Sequence, residues 1–177
     1  MVAAIEPAGQ PRSSSLPSRP VFSGPVLRIE RGIRDAIVAH ARRDHPDEAC
    51  GVVAGPEGSD RPARFVPMLN AARSPTFYEF DSADLLALYK DMAAKDEEPV
   101  VVYHSHTATE AYPSRTDVSY ASEPNAHYVL VSTRDEADTE FRSFRIVDGV
   151  VSEEEVTIAG AGGGAPAGPE PTAASGV

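Results

Sequence analysis

Residues 99–117 read PVVVYHSHTATEAYPSRTD, and the first part of this stretch predicts the central strand of a sheet. A run of three valines and Tyr103 follows Pro99, and an unbroken run of β-branched residues is typical of a strand buried on both faces. This strand would bring His104 and His106 to its C-terminal end. Because side chains alternate along an extended chain, both imidazoles would point to the same side and can share one ion.

Two further side chains complete a pattern downstream of the histidines. Asp117 follows His106 after ten intervening residues, and Ser114 stands three positions before Asp117. Two neutral imidazole nitrogens and one carboxylate leave a tetrahedral zinc ion with its fourth position for water, which is the catalytic rather than the structural arrangement. A pair of nearby histidines alone is more often found on the surface or in the core. The complete pattern favours one Zn²⁺ per chain, bound by His104, His106 and Asp117.

The sequence upstream predicts a helix followed by two strands. Apolar side chains recur at helical spacing in residues 31–44, and Pro46 ends this helix because the residue before a proline disfavours the helical conformation. Glu48 therefore stands just after the helix. Residues 50–55 are a short apolar run closed by glycine and proline, and residues 64–69 are its expected antiparallel neighbour.

The rest of the chain predicts one more helix and further strands. These are a helix from Asp81 or Ser82 to about Ala94, a strand at 128–132, and a hairpin of 141–147 with a strand from Val150 across Asp148 and Gly149. The apolar pattern thus switches several times between helical and strand periods. It predicts an α/β fold with one curved mixed β-sheet flanked by helices.

The 177 residues are predicted to form one domain between two disordered tails. Residues 1–25 are rich in proline, serine and alanine, and residues 159–177 are almost entirely small residues and proline, so neither segment can bury enough apolar surface to repay ordering. The catalytic domain is expected at 26–158. The sequence contains no secretory signal, no apolar stretch of membrane-spanning length and a single cysteine, so we expect a cytoplasmic protein without membrane anchoring.

The net charge restricts the class of partner. The chain has 27 acidic and 16 basic side chains, which give a formal charge of -11 with histidines neutral. Binding of nucleic-acid phosphates depends on clustered Lys and Arg, and the sequence has no such cluster. Nucleic acid is therefore not an expected partner, whereas a protein with a basic patch would fit.

The residues around both motifs resemble a known family. The JAMM or MPN-plus metalloproteases carry an upstream Glu, then His-Ser-His, a spacer and Ser-x-x-Asp, which Glu48, residues 104–106 and Ser114 with Asp117 match here. The segments ARRDHPDEACG, SPTFYEFDS and HYVLVSTRD are similar to those of bacterial hydrolases that free cysteine from a ubiquitin-like sulfur-carrier protein. The resemblance covers residues 27–157. It implies a cytidine-deaminase-like MPN/JAMM fold and a zinc metalloprotease whose substrate is such a carrier with a Gly-Gly tail.

The resemblance also gives each site residue a role. Glu48 would take a proton from the attacking water and pass it to the leaving amine, and Ser114 would donate a hydrogen bond to the oxyanion on the attacked carbonyl. Ser105 is expected to make only local hydrogen bonds that orient the loop. Thr107 stands where family members often have proline, but this is not a ligand position. The short core lacks the insertions of members that cut lysine-linked ubiquitin, so a small group is expected after the scissile bond.

Other side chains have simpler interpretations. Cys50 lies in an apolar run and is predicted to be a buried small hydrophobe rather than a nucleophile or metal ligand. His40, His45 and His127 are predicted to be surface or capping residues. Residues expected in the core or in the wall of the cleft are Phe77, Tyr78 and Phe80.

Several functions remain open on the sequence alone. A general JAMM peptidase or a deconjugase of ubiquitin-like proteins would use the same site on other substrates. A noncatalytic MPN scaffold is disfavoured because such scaffolds typically lack the ligand set that is complete here. A zinc deaminase is disfavoured because its sites use His-x-Glu and paired cysteines, whereas this chain has one cysteine. The sequence also leaves a homodimer open.

Overall fold

The structure, a computed structural model, describes residues 26–160. The tails predicted at 1–25 and 159–177 lie outside this part of the chain, apart from Ala159 and Gly160. Residues 26–160 form seven strands and three helices. In chain order these are β1 (Val26–Glu30), α1 (Arg31–Asp44), β2 (Cys50–Pro56), β3 (Arg64–Met68), α2 (Ser82–Ala93), β4 (Glu97–His106), α3 (Arg115–Tyr120), β5 (His127–Ser132), β6 (Glu140–Val147) and β7 (Val150–Ala159).

The seven strands form one mixed sheet in the order β1-β7-β6-β5-β4-β2-β3. β1 lies parallel to β7 and β4 lies parallel to β5, whereas all other neighbours are antiparallel. This mixed sheet with helices confirms the α/β fold expected from the sequence. β1 and the short α3 are absent from the sequence-based prediction, and β1 depends on pairing with β7 at the far end of the domain.

The central strand predicted from residues 99–106 is β4. Its second half is buried, because β2 and β5 flank it and helices cover the sheet. The β2–β4 register pairs Cys50 with His104. Glu48 and Ala49, which come just before β2, therefore lie beside the histidine end of β4.

The two long helices cover opposite faces of the sheet. α1 buries Ile37 against a cluster that contains Val53 of β2, whereas α2 packs Leu88 and Met92 against Val52, the neighbour of Val53. Adjacent residues of a strand point to opposite faces, so the two helices lie on different sides. No helix within residues 26–160 is long and apolar enough to cross a membrane.

His40 contradicts the prediction of a surface or capping role. It is 3% exposed, its Nδ1 lies 2.7 Å from the Tyr103 hydroxyl, and its Nε2 lies 2.9 Å from the Asp44 carboxylate. The prediction was wrong because Tyr103 is 63 residues away along the chain. His45, by contrast, is exposed as expected.

His127 also contradicts that prediction. It is fully buried, with Nδ1 hydrogen-bonded to Glu154 and Nε2 lying 2.8 Å from the Asp60 carboxylate. Arg145 lies against both carboxylates, 3.1 Å from Asp60 and 3.3 Å from Glu154. The polar cluster satisfies the buried imidazole, and its members come from four separate segments that no local pattern connects.

Cys50 and the hairpin turn agree with the sequence. Cys50 is fully buried, and burial raises the pKa of its thiol to about 12, so the prediction of a buried, unreactive side chain is confirmed. Asp148 and Gly149 both have positive φ, 51° and 77°, as a two-residue turn between β6 and β7 requires.

Candidate metal centre

His104 and His106 lie at the end of β4 and are 2% and 7% exposed. Because residues two apart on a strand share a face, both rings project to the same side of the sheet. Their Nε2 atoms are 3.2 Å apart. The strand therefore delivers both rings to one point.

Asp117 reaches the same point from α3. Its Oδ1 lies 3.2 Å from Nε2 of His104, and its Oδ2 lies 3.4 Å from Nε2 of His106. The ligand atoms of the three side chains all lie within 4.8 Å of one another. The structure thus brings together the three residues that the sequence predicted as metal ligands.

The start of α3 fixes the orientation of the Asp117 carboxylate. Ser114 is the N-cap of this helix, and its main-chain N–H donates a 2.6 Å hydrogen bond to Oδ2 of Asp117. In return, Oγ of Ser114 accepts a 3.2 Å hydrogen bond from the N–H of Asp117. This reciprocal pair is a capping box, so the Ser-x-x-Asp spacing has a structural reason as well as a chemical one. The hydroxyl hydrogen of Ser114 takes no part in the cap and can be donated elsewhere.

A second contact orients each imidazole ring. Nδ1 of His106 lies 2.9 Å from the main-chain oxygen of Glu110. A carbonyl only accepts, so this contact places the hydrogen on Nδ1 and leaves a lone pair on Nε2 of the neutral ring. The ring of His104 stacks on that of Tyr78, with centroids 4.5 Å apart. Both Nε2 atoms are therefore held toward Asp117.

The charge state of the cluster suits a cation. Burial lowers the pKa of His104, which favours its neutral form. Burial acts in the same direction on His106, but Asp117 and the Glu110 carbonyl outweigh it and raise the pKa, so a metal ion would displace a proton there. Burial by itself would raise the pKa of Asp117, but the adjacent imidazoles of His104 and His106 hold that pKa well below its ordinary range. Neutral imidazole and ionised carboxylate are the forms that bind metals. The donor set of His104, His106 and Asp117 therefore fits a divalent metal ion.

Glu48 lies in the same cleft as these three residues. It is 5% exposed and lines a cleft of about 190 Å³ together with His106, Ser114 and Asp117. Burial raises the pKa of its carboxyl to about 7. A carboxyl group that titrates near neutral pH is suited to exchanging a proton in a reaction.

A larger and more apolar cavity of about 270 Å³ adjoins this cleft. Phe77, Thr116 and Asp117 line both spaces, so the two meet at the metal centre. Tyr78 and Phe80 also line the larger cavity, in agreement with their expected place in the cleft wall. The remaining wall includes one face of α2, which contributes Leu85, Leu88, Tyr89 and Met92.

Sequence reasoning missed or misjudged several contributors to this site. Glu110 orients His106 through its main-chain oxygen, which any residue supplies, so no residue pattern identifies it. Ser105 was expected to bond locally, but its Oγ accepts a 2.8 Å hydrogen bond from the N–H of Ala49, 56 residues away. Asn70 bonds to Glu48, and its only sequence signal is a polar residue between an apolar strand and a turn.

The chain is similar to characterised proteins over most of the described domain. It is 67% identical over 133 residues to the CysO-cysteine peptidase of Mycobacterium tuberculosis, which covers 75% of this chain and 91% of that protein. It is 32% identical over 111 residues to the desampylase of Haloferax volcanii, which covers 60% of this chain and 80% of that protein.

The fold and the family are supported by two further comparisons. A solution structure of a protein from Desulfitobacterium hafniense superimposes with a TM-score of 0.66 and 30% identity, covering 75% of this chain and 92% of that one. Residues 30–147 match the family described as prokaryotic homologs of the JAB domain. The chain therefore belongs to the prokaryotic homologs of the JAB domain, which confirms its resemblance to the JAMM metalloproteases.

Proposed function

We propose that this protein is a zinc-dependent hydrolase that cuts after the C-terminal Gly-Gly of a ubiquitin-like sulfur-carrier protein and releases cysteine. The observation that carries the proposal is the meeting of His104, His106 and Asp117 beside Glu48 in one cleft. The substrate is supported by the 67% identity to a protein named CysO-cysteine peptidase.

Zinc is the metal that the geometry favours. Four tetrahedral ligand atoms about 2.0–2.1 Å from a zinc ion lie about 3.3 Å from one another. The Nε2 atoms of His104 and His106 are 3.2 Å apart, and each lies 3.2 or 3.4 Å from a different oxygen of the Asp117 carboxylate, which is close to this spacing. Three protein ligands leave one position for water, so we propose one catalytic zinc per chain.

The chemistry depends on two further side chains. A bound zinc ion lowers the pKa of water toward neutrality and polarises a carbonyl group. Glu48, with its pKa raised to about 7, accepts a proton from the attacking water and passes it to the leaving amine. The hydroxyl of Ser114 donates a hydrogen bond to the oxygen of the attacked carbonyl, because its Oγ uses only an acceptor position in the cap of α3.

The carrier would approach along the sheet edge nearest the site. β3 is an edge strand, and its Met68 pairs with Cys50, which in turn pairs with His104. An extended glycine-rich tail can add to such an edge through main-chain hydrogen bonds. Recognition would therefore involve mainly the carrier's body and tail, and the leaving cysteine would contribute less. We further propose a cytoplasmic location, which a single buried cysteine suits.

A deconjugase of ubiquitin-like proteins is the second candidate, because the chain is also similar to a desampylase. The experiment compares four substrates of the zinc-loaded protein by mass spectrometry: a carrier ending in Gly-Gly-Cys, the same carrier with another small terminal residue, one with a shortened glycine pair, and a lysine-linked conjugate of the carrier. We expect the second to be cut only modestly more slowly and the third not at all. Efficient cleavage of a lysine-linked conjugate with an intact cysteine adduct would favour the deconjugase instead.

A further inference from the structure

Asn70 is 4% exposed and is not one of the predicted metal ligands. Its side chain nevertheless uses all four of its hydrogen-bonding positions. Its Oδ1 accepts hydrogen bonds from the N–H groups of Ala72 at 3.0 Å and Glu79 at 3.1 Å. Its Nδ2 donates to the carbonyl oxygens of Phe77 and Glu48, both at 3.0 Å. Three of these bonds close the loop of residues 71–79, here called the Asn70 loop. The fourth leaves the loop and reaches Glu48.

The Asn70 loop contacts the metal centre at three places. The main-chain oxygen of Ser74 accepts a 2.9 Å hydrogen bond from the N–H of Glu48. The main-chain oxygen of Pro75 accepts a 2.9 Å hydrogen bond from the Thr107 hydroxyl, just after the histidines. The ring of Tyr78 stacks on His104. The loop therefore spans the distance between Glu48 and the strand that carries two ligands.

The other side of Glu48 is held by β4 itself. The N–H of Ala49 donates to Oγ of Ser105, and the N–H of Ser105 donates to the oxygen of Ala49 at 2.9 Å. The N–H of Glu48 is thus bonded to the Asn70 loop, and its C=O is bonded to the side chain of Asn70. The next residue, Ala49, is bonded to Ser105, which stands between the two histidines. Both main-chain hydrogen-bonding groups of Glu48 are therefore bonded, which fixes the position of its backbone.

We propose that Asn70 is a positioning residue for the reaction, which holds Glu48 in register with His104 and His106. The inference rests on the proposed function, in which Glu48 exchanges a proton in the cleft. Placement of such a group is demanding, because a shift of about 1 Å can cost about 10²-fold in rate. Asn70 is not one of the three ligands and does not line the cleft that contains Glu48, so it acts through Glu48 and the loop.

Asn70→Asp is the most informative variant. It keeps an oxygen acceptor for Ala72 and Glu79, but it loses both donors and turns an oxygen toward the carbonyls of Glu48 and Phe77. We expect zinc content to stay at one per chain, KM for a carrier ending in Gly-Gly-Cys to stay within about twofold, and kcat to fall about tenfold or more. Asn70→Ala, which adds no charge beside the carbonyls, should show the same split.

The matched control is Asp81→Ala. Asp81 accepts hydrogen bonds from Ala83 at 2.9 Å and Asp84 at 3.1 Å as the N-cap of α2, but it has no contact with Glu48. Its loss should lower the melting temperature, as the loss of a helix N-cap does. We expect its kcat to equal that of the wild type, which would show that a partial loss of stability does not by itself lower kcat.

A second readout is independent of activity. Hydrogen exchange of the metal-free protein, followed by mass spectrometry, should show faster exchange of the Glu48 and Ala49 amides in Asn70→Asp than in the wild type or Asp81→Ala. Unchanged exchange there would overturn the proposal. If the exchange becomes faster as expected but the wild type cuts no carrier, the proposed function alone fails. Wild-type kcat in both Asn70 variants, or loss of the fold in both, would also overturn it.

Discussion

The Nε2 atoms of His104 and His106 face each other at 3.2 Å, with the Asp117 carboxylate within 3.4 Å of both. Two ring nitrogens so close to one carboxylate form a site for a cation. His104→Ala and Asp117→Ala should each lose bound zinc and activity together, measured by metal analysis and turnover. His45→Ala, which changes an exposed histidine, should keep both. A full complement of zinc in His104→Ala would contradict the ligand assignment.

Glu48→Gln should separate metal binding from catalysis. The amide has nearly the same shape as the carboxyl group but cannot carry the proton, and Glu48 is not among the three ligands. We expect one zinc per chain with kcat lowered by about 10²–10⁴-fold. Metal analysis and kinetics on the same preparation provide the test, and a fully active variant would exclude Glu48 as the base.

Ser114→Ala should lower kcat by about 10²–10³-fold, the usual effect of removing one oxyanion donor. The alanine variant keeps the main-chain N–H that donates to Asp117, so zinc content should not change. Ser114→Thr keeps the hydroxyl and serves as the control. If alanine and threonine variants have the same kcat as the wild type, Ser114 acts only as the cap of α3.

The burial of His40 predicts a pH dependence of stability. Burial lowers the pKa of His40 in the folded state, and the unfolded value is about 6.5. Below about pH 6.5 the unfolded chain therefore binds more protons at this residue, and the free energy of unfolding falls as the pH decreases. His40→Gln should lose less stability than the wild type between about pH 7.5 and about pH 5. Denaturant unfolding measures this difference, with His45→Gln as the exposed control, and equal pH dependence in all three proteins would contradict it.

Local patterns predicted the elements that carry the site. The β-branched run before His104 identified β4, and Asp81 caps α2 as expected. Helical spacing predicted α1 at residues 31–44, which are its observed bounds. Strand alternation converts the His-x-His spacing of His104 and His106 directly into proximity. Glu48 and Asp117 were predictable only from the family motif, because the β2–β4 pairing and the placement of α3 bring them to the histidines.

Long-range pairing explains what the sequence did not reveal. β1 is a strand only because it pairs with β7, and the burial of His40 and His127 depends on Tyr103 and Glu154 in distant segments. The role of Ser105 likewise depends on a partner across the β2–β4 pair. These contacts depend on which segments meet in the fold, and the local sequence around each residue does not specify that.

The most direct measurement is the product of one reaction: a zinc-loaded preparation incubated with a ubiquitin-like carrier that ends in Gly-Gly-Cys. We expect the carrier to lose the mass of one cysteine residue, free cysteine to appear in equal amount, and neither product to form with Glu48→Gln or His104→Ala. An intact cysteine adduct, with efficient cutting of long unrelated peptides by the same preparation, would contradict the carrier assignment and identify a general peptidase.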